Sequence, residues 1–277
     1  MFGSSIVRQS PERFGSNRWA IVPECVLLIV LVCSSGVGQT FVQRHYDVSK
    51  DHGAFGSGQL VTPNALKAPT KAQQAAQRAL QALFNNRPRE AEKQLNRALN
   101  IYPDYAMALT FRALLEWTNY PDDSVRDLQR AIHLDPAYGL AYATLGAIYN
   151  TLGRYGDAEP LIQRALQSLS AAWPIHYEMA RSLLGRHKSN EALAQVNQAI
   201  EQASIDEKSR RPHNLATLHY LRGLIFIELH ELAGAKLEFQ AAGTEEPEGT
   251  LAQRSKQMVS QLDSQATQSV TQLEPQH

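Results

Sequence analysis

Between residues 70 and 248 apolar positions recur at three- and four-residue steps, the period of an amphipathic helix. A longer rhythm is laid over that one. Ala91, Ser124, Ala158, Ala192 and Ala235 are each followed four residues later by Leu95, Leu128, Ile162, Val196 and Phe239. Three residues beyond those stand Ala98, Ala131, Ala165, Ala199 and Ala242. Successive starts are separated by 33, 34, 34 and 43 residues. A period near 34 predicts stacked helix–turn–helix units.

The third unit shows the physical logic most plainly. It reads Tyr142-x-x-Leu145-Gly146-x-x-Tyr149, then Gly153-Arg154-Tyr155, then Ala158-x-x-x-Ile162-x-x-Ala165. Gly153 falls where a first helix would end, and glycine is the favoured residue there. A second helix is expected to begin near Asp157. Antiparallel helices approach to about 8–10 Å, and small side chains permit the close end of that range. Gly146 and Ala158 supply the small residues at this crossing, and Ala165 serves the same need against the next unit. Pro103, Pro136 and Pro247 follow second helices by a few residues and stop them, because proline lacks the donor and clashes with the preceding turn.

At these residues the chain resembles the tetratricopeptide repeat (TPR) family, over about residues 70–248. The third unit matches best. Units one, two and five carry Arg78-Ala79, Arg112-Ala113 and Arg222-Gly223 in the Leu-Gly place, and unit four departs further with Met179-Ala180. The resemblance implies an all-α fold, a right-handed superhelical solenoid of about five repeats closed by a C-terminal capping helix. The cap is expected over 249–263, where Leu251, Ser255, Val259 and Leu262 share one face. The Gln-, Ser- and Thr-rich residues 264–277 have little to bury and are expected to be disordered. Nine extra residues fall between Glu201 and Asn214, since the last spacing is 43 where the two before it are 34. They read as a lengthened second helix and a loop, with Pro212 ending any helix there. The segment is either a tolerated surface insertion or a partner contact, loop length being cheap in free energy.

The resemblance also implies where a partner would sit. First helices of the family line a concave surface that holds a peptide or protein. The corresponding inward places are Met107, Leu114 and Trp117 in unit two and Ala147 and Asn150 in unit three. Unit four contributes Tyr177 and Arg181, and unit five Tyr220, Leu224 and Ile227. Aromatic side chains are favoured anchors in binding hot spots. The same side chains could instead pack between adjacent first helices. The basic and asparagine set with which some members grip a C-terminal carboxylate is not evident, because Gln73, Ala76 and Leu80 hold the first unit's inward places.

Charge and composition narrow the class. The chain has 27 basic and 27 acidic residues, which argues against a nucleic-acid partner held by phosphate neutralisation. Arg8, Arg13 and Arg18 precede an apolar run from Cys25 to Val32, and small residues follow it up to Gly38. Residues 1–38 therefore read as a secretory signal peptide, cleaved before Gln39, or as an uncleaved membrane anchor within 19–38. Pro23 and Glu24 interrupt the span, which weakens the anchor reading. The expected location is periplasmic or secreted, with an inner-membrane tether as the alternative. Both cysteines, Cys25 and Cys33, lie in this leader, so a processed chain would have no disulfide or thiolate site. Residues 39–69, with Gly53, Gly56, Gly58, Pro63 and Pro69, read as a flexible linker.

Catalytic chemistry is not indicated. His230-Glu231 begins like a zinc-protease helix motif, but Gly234 stands where the second histidine is required. His176 and His219 occupy equivalent places in units four and five and lack further ligands. Asp122-Asp123 opens a second helix, where acids complement the helix dipole. The sequence reads as a non-enzymatic interaction scaffold without cofactor or metal, or as a permanent subunit of a secretion, cell-wall or outer-membrane assembly.

Overall fold

A computed structural model describes residues 63–273 apart from 86, 170–172 and 206–211. The described residues form twelve helices and no strand. Helix α1 (Pro63–Lys67) precedes five hairpins. These are α2 (Thr70–Phe84) with α3 (Pro88–Ile101), α4 (Ala106–Glu116) with α5 (Pro121–Leu134), and α6 (Gly139–Thr151) with α7 (Tyr155–Leu169). The last two are α8 (Trp173–Gly185) with α9 (Ser189–Ile205), and α10 (Pro212–Glu228) with α11 (Leu232–Glu245). Helix α12 (Thr250–Leu273) packs on α11 and α10 and closes the end. Each second helix also meets the first helix of the following unit, so the hairpins stack in one row. This is the solenoid that the 34-residue period predicts.

The small-residue rhythm is the hairpin core. Ala91, Ala158, Ala192 and Ala235, with Leu95, Leu128, Ile162, Val196 and Phe239 four residues after each start, are fully buried, and Ser124 nearly so. Ala98, Ala131, Ala165, Ala199 and Ala242 are fully buried as well. One hydrophobic cluster runs from Ala68 to Ile225, and a second joins Phe239 of α11 to Leu262 of α12. Prolines mark helix starts as well as ends, with Pro88 and Pro121 in the first turns of α3 and α5. Gly153 sits at φ 73° just after α6, and His187 and His230 hold the matching left-handed turns of units four and five at φ 59° and 62°. Asp122 and Asp123 lie in the first turn of α5.

Two of the three Arg variants in the Leu-Gly place, Arg112 and Arg222, tie units together. Arg112 of α4 donates to Asp127 of α5 at 2.7 and 2.8 Å and reaches Asn96 of α3 at 3.4 Å. Arg222 of α10 pairs with Glu238 of α11 at 2.8 Å and donates to Asn197 of α9 at 3.1 Å. Both acids stand one residue before the buried apolar residue of their second helix, Leu128 or Phe239. Both asparagines follow the corresponding residue of the previous unit, Leu95 or Val196. One guanidinium thus staples two second helices in each case.

Three boundaries differ from the sequence reading. The linker assigned to 39–69 ends in structure, because Pro63–Lys67 is helical. Asn64 there is buried, donates to the Asp104 carbonyl at 2.8 Å and accepts from the Ala106 N–H at 3.0 Å. It thereby satisfies an otherwise open donor at the start of α4. The tail assigned as disordered continues α12 as helix to Leu273, well past the expected cap end at 263. Pro212 begins α10 rather than ending the inserted helix, since proline is tolerated at a first helical position. Helix α9 is indeed long, at 17 residues. The leader, and the linker before residue 63, lie outside the described residues.

Candidate protein-binding groove

Helices α4, α6, α8, α10 and α12 pack in sequence, each against the next. All ten inward places lie on or at the ends of these helices, but they fall into two groups. Met107, Leu114, Trp117, Asn150 and Tyr177 are buried, the two large aromatics to 4% and 6% exposure. Ala147 beside them is buried too. Met107, Leu114, Trp117 and Tyr177 belong to the hydrophobic cluster that runs through the units. Met107, Leu114 and Trp117 therefore stand in the core, while Tyr177, buried as it is, also borders a cavity. Arg181, Tyr220, Leu224 and Ile227 remain half-buried.

Asn150 bonds to the next unit. Its Nδ2 donates to the Glu178 carbonyl at 2.8 Å and to Glu178 Oε2 at 2.9 Å. Arg181 Nη1 donates to both oxygens of the same carboxylate, at 3.0 and 2.9 Å. The Glu178 side chain is 3% exposed, so a buried acid is held by a cation and an amide across two units. Burying a carboxylate is costly unless it is paired and hydrogen-bonded, and here it is both. The Arg181 guanidinium also lies 5.7 Å from the centre of the Tyr177 ring.

Above this pair the first helices of the last units open into a cavity of about 220 Å³. Tyr177 and Arg181 of α8 and Tyr220 and Leu224 of α10 line it, so four of the candidate residues converge. Leu251 and Arg254 of α12 form a further wall. The sequence reading treated α12 only as a cap and missed both. Their three-residue spacing, which puts them on one helix face, was the available signal. Tyr155 enters from the start of α7. It does so because Gly185 has no side chain, and a Cβ there would fall on the Tyr155 ring.

The remaining polar candidates bond or turn within their own units. His176 Nδ1 lies 2.8 Å from Gln195, and His219 Nδ1 2.8 Å from Glu238. Each imidazole bonds to its own second helix. Burial pushes the Glu238 carboxyl up, but hydrogen bonds from His219 and Arg222 outweigh it and hold the group below its usual range. Burial pushes the Glu116 carboxyl up, against the pull of Arg112. His230 forms the left-handed turn before α11. Among the described residues there is no group of three or more His, Cys, Asp or Glu placed to hold a metal. Among them, too, no helix is long and apolar enough to cross a membrane.

The architecture is that of solved TPR proteins. TTC0263, a thermophilic TPR protein of Thermus thermophilus, superposes with a TM-score of 0.54 over 68% of this chain and 98% of its own, at 16% identity. MamA of Desulfovibrio magneticus RS-1 gives 0.51 over 66% of this chain and 99% of its own, at 15% identity. YrrB, a TPR protein with an unusual peptide-binding site, gives 0.51 over 72% of this chain and 98% of its own, at 18% identity. At these identities the likeness establishes the fold alone. No protein-family model matches the sequence, and no curated protein does.

Proposed function

We propose that this protein is a non-enzymatic scaffold that captures a peptide or protein segment on the inner face formed by its first helices. The observation that carries this reading is the convergence of Tyr177, Arg181, Tyr220 and Leu224 on one cavity. Recognition sites join apolar and aromatic walls to a few placed polar groups, and this cavity has that make-up. YrrB supports the reading as a protein of the same fold with a peptide-binding site. The Arg-flanked apolar run before Gly38 adds that the scaffold works outside the cytoplasm, processed near Gln39 or held at the membrane by residues 19–38.

The test is a photo-crosslinker placed at Tyr220 and, as control, at the exposed Leu237 on α11. In cells making the protein, the Tyr220 probe should trap defined partner peptides that the Leu237 probe does not. Trapping at Leu237 alone would reject the groove. A second reading, a permanent subunit of an envelope assembly, draws support from Leu232 and Leu237, which expose 44% and 66% of their surface on the same helix. A subunit of that kind should aggregate when purified without its partner.

A further inference from the structure

We infer that the trough between α11 and α12 docks an amphipathic helix of another protein, and that this helix carries an Asp or Glu directly before a large apolar residue. The site shares no lining residue with the groove cavity. The arginine staples have an incomplete third member there. Allowing for the nine extra residues before α10, Thr250 opens α12 in the register in which Gly139 opens α6 and Trp173 opens α8. In that register Lys256, 34 residues after Arg222, takes the place of Arg112 and Arg222. Gln240, next to Phe239, takes the place of Asn96 and Asn197. Both line the trough, so a cation and an amide face the same space as in the two complete staples. The acid of those staples stands 15 or 16 residues after the cation, on the next second helix. After Lys256 those positions are Thr271 and Gln272, in the unbroken continuation of α12. Ser264, in the register of the turns at Gly153, His187 and His230, is itself helical. Helix α12 thus runs on where a first helix would turn back.

The space that a second helix would cover is open. It measures about 600 Å³ and follows α12 from Ser255 to Ser264, about 14 Å at the α-helical rise. Its floor is low because Gly243 and Ser255 stand where the preceding junction has Ile200 and Leu221. Ser255 is 1% exposed, and its hydroxyl has no hydrogen-bond partner among the described residues. Thr110 and Thr144, in the same place on α4 and α6, donate to the carbonyl one turn back at 2.9 and 2.8 Å. A buried polar group facing the trough without a partner marks a space that a ligand completes. Lys256 is exposed and makes no ion pair among the described residues, whereas Asp263 further along α12 is held by Lys236 at 2.6 Å. An entering carboxylate meets the Lys256 ammonium in a charge-assisted hydrogen bond. The complete units supply the rest of the pattern. Ser124 and Ala131 stand four before and three after Leu128, as Ala235 and Ala242 do around Phe239. A second copy cannot lend either helix, because Leu128 and Phe239 are fully buried in its own core. Gln257, exposed in the place of Gly146, holds the incoming helix further out than a second helix of the chain.

The test titrates the full chain with a helical peptide bearing the sequence of residues 121–134, in which Ser124, Asp127, Leu128 and Ala131 stand in the required order. A lactam bridge between positions 126 and 130, exposed in the parent helix, holds it helical. Fluorescence anisotropy should show saturable binding. Asp127→Asn in the peptide should weaken it about fivefold, as should Lys256→Gln in the chain, and the two together should weaken it little further. Ser260→Trp, at an exposed position of the trough, should remove binding while the circular dichroism stays helical. The peptide exchange alters no residue of the chain, so a misfolded variant does not decide the result. Absence of saturable binding, binding that ignores Asp127→Asn, or binding that survives Ser260→Trp would overturn the inference. So would a chain that sediments as a dimer and becomes monomeric on Ser260→Trp, since a second copy would then fill the trough.

Discussion

The Cβ that Gly146 lacks would lie 2.6 Å from Cγ1 of Ile162. Gly223 stands in the same relation to Phe239, with its absent Cβ 2.8 Å from the ring. The other units have Ala79, Ala113 and Ala180 in the glycine's place, and Leu95, Leu128 and Val196 in the partner's, all fully buried. Glycine therefore occurs where the partner is isoleucine or phenylalanine, and alanine where it is leucine or valine. The two positions share one volume, and each unit divides it differently.

Gly146→Val should lower the melting temperature by overpacking this crossing, at a cost of about 1–3 kcal/mol. Gly146→Ala should cost less, and Ile162→Val should relieve it, since the pair then matches Ala180 and Val196 of unit four. The double variant is expected to be more stable than the sum of the single changes allows, which a denaturation-based double-mutant cycle measures. Simple additivity would mean that the two side chains do not share the space.

Glu238 gives the fold a defined acid sensitivity. Hydrogen bonds from His219 and Arg222 outweigh burial and hold its carboxyl below the usual glutamate range in the folded state. A carboxyl lowered in this way contributes stability that is full above the unfolded pKa and is lost as pH falls through the folded value. Glu238→Gln should therefore melt below the wild type at pH 7, and the gap should close as the pH falls below about 4.3, the ordinary value for glutamate. A gap that stays constant down to about pH 3, well below that ordinary value, would show that the ion pair contributes nothing.

Trp117 should behave as a core residue. Truncating a buried aromatic costs about 3–5 kcal/mol, which in a domain of this size lowers melting by roughly 6–20 °C. Trp117→Ala is expected to lose that much, whereas Tyr220→Ala, half-buried at the cavity, should lose less stability and more binding. Thermal melts paired with the crosslinking yield separate the two roles. Loss of binding by Trp117→Ala with an unchanged melt would return Trp117 to the groove.

The repeat was legible because its core positions are small or apolar in every unit, so burial leaves a periodic trace. Gly153 was legible because its turn demands a left-handed backbone, while His187 and His230 adopt the same turn with residue types that announce it less clearly. The groove was half legible. Family register places Tyr177 and Leu114 inward, but whether an inward side chain meets water or the next helix depends on how close the helices stand. That distance comes from packing across units, and no single unit's sequence contains it. The staples could have been read in advance. Arg112 and Arg222 each precede an acid by 15 or 16 residues, at Asp127 and Glu238. Asn64 could not, since one asparagine in a Pro- and Gly-bearing stretch carries no period.

The Glu178–Arg181 pair yields the last prediction, because it separates holding the fold from holding a ligand. Glu178 is buried, and its carboxylate is held by Arg181 and Asn150. Arg181→Met would leave the carboxylate with the amide alone, and removing one partner of a buried pair costs about 3–5 kcal/mol. Arg181→Met combined with Glu178→Gln removes both charges and keeps the side-chain volumes close, so stability should recover most of that loss. Urea denaturation of the two variants measures the difference. If the charge of Arg181 also helps to hold the partner, the recovered double variant should still bind more weakly than the wild type, and more so at low salt, where electrostatic attraction is least screened. A double variant that is stable and binds as the wild type does would confine Arg181 to neutralising Glu178.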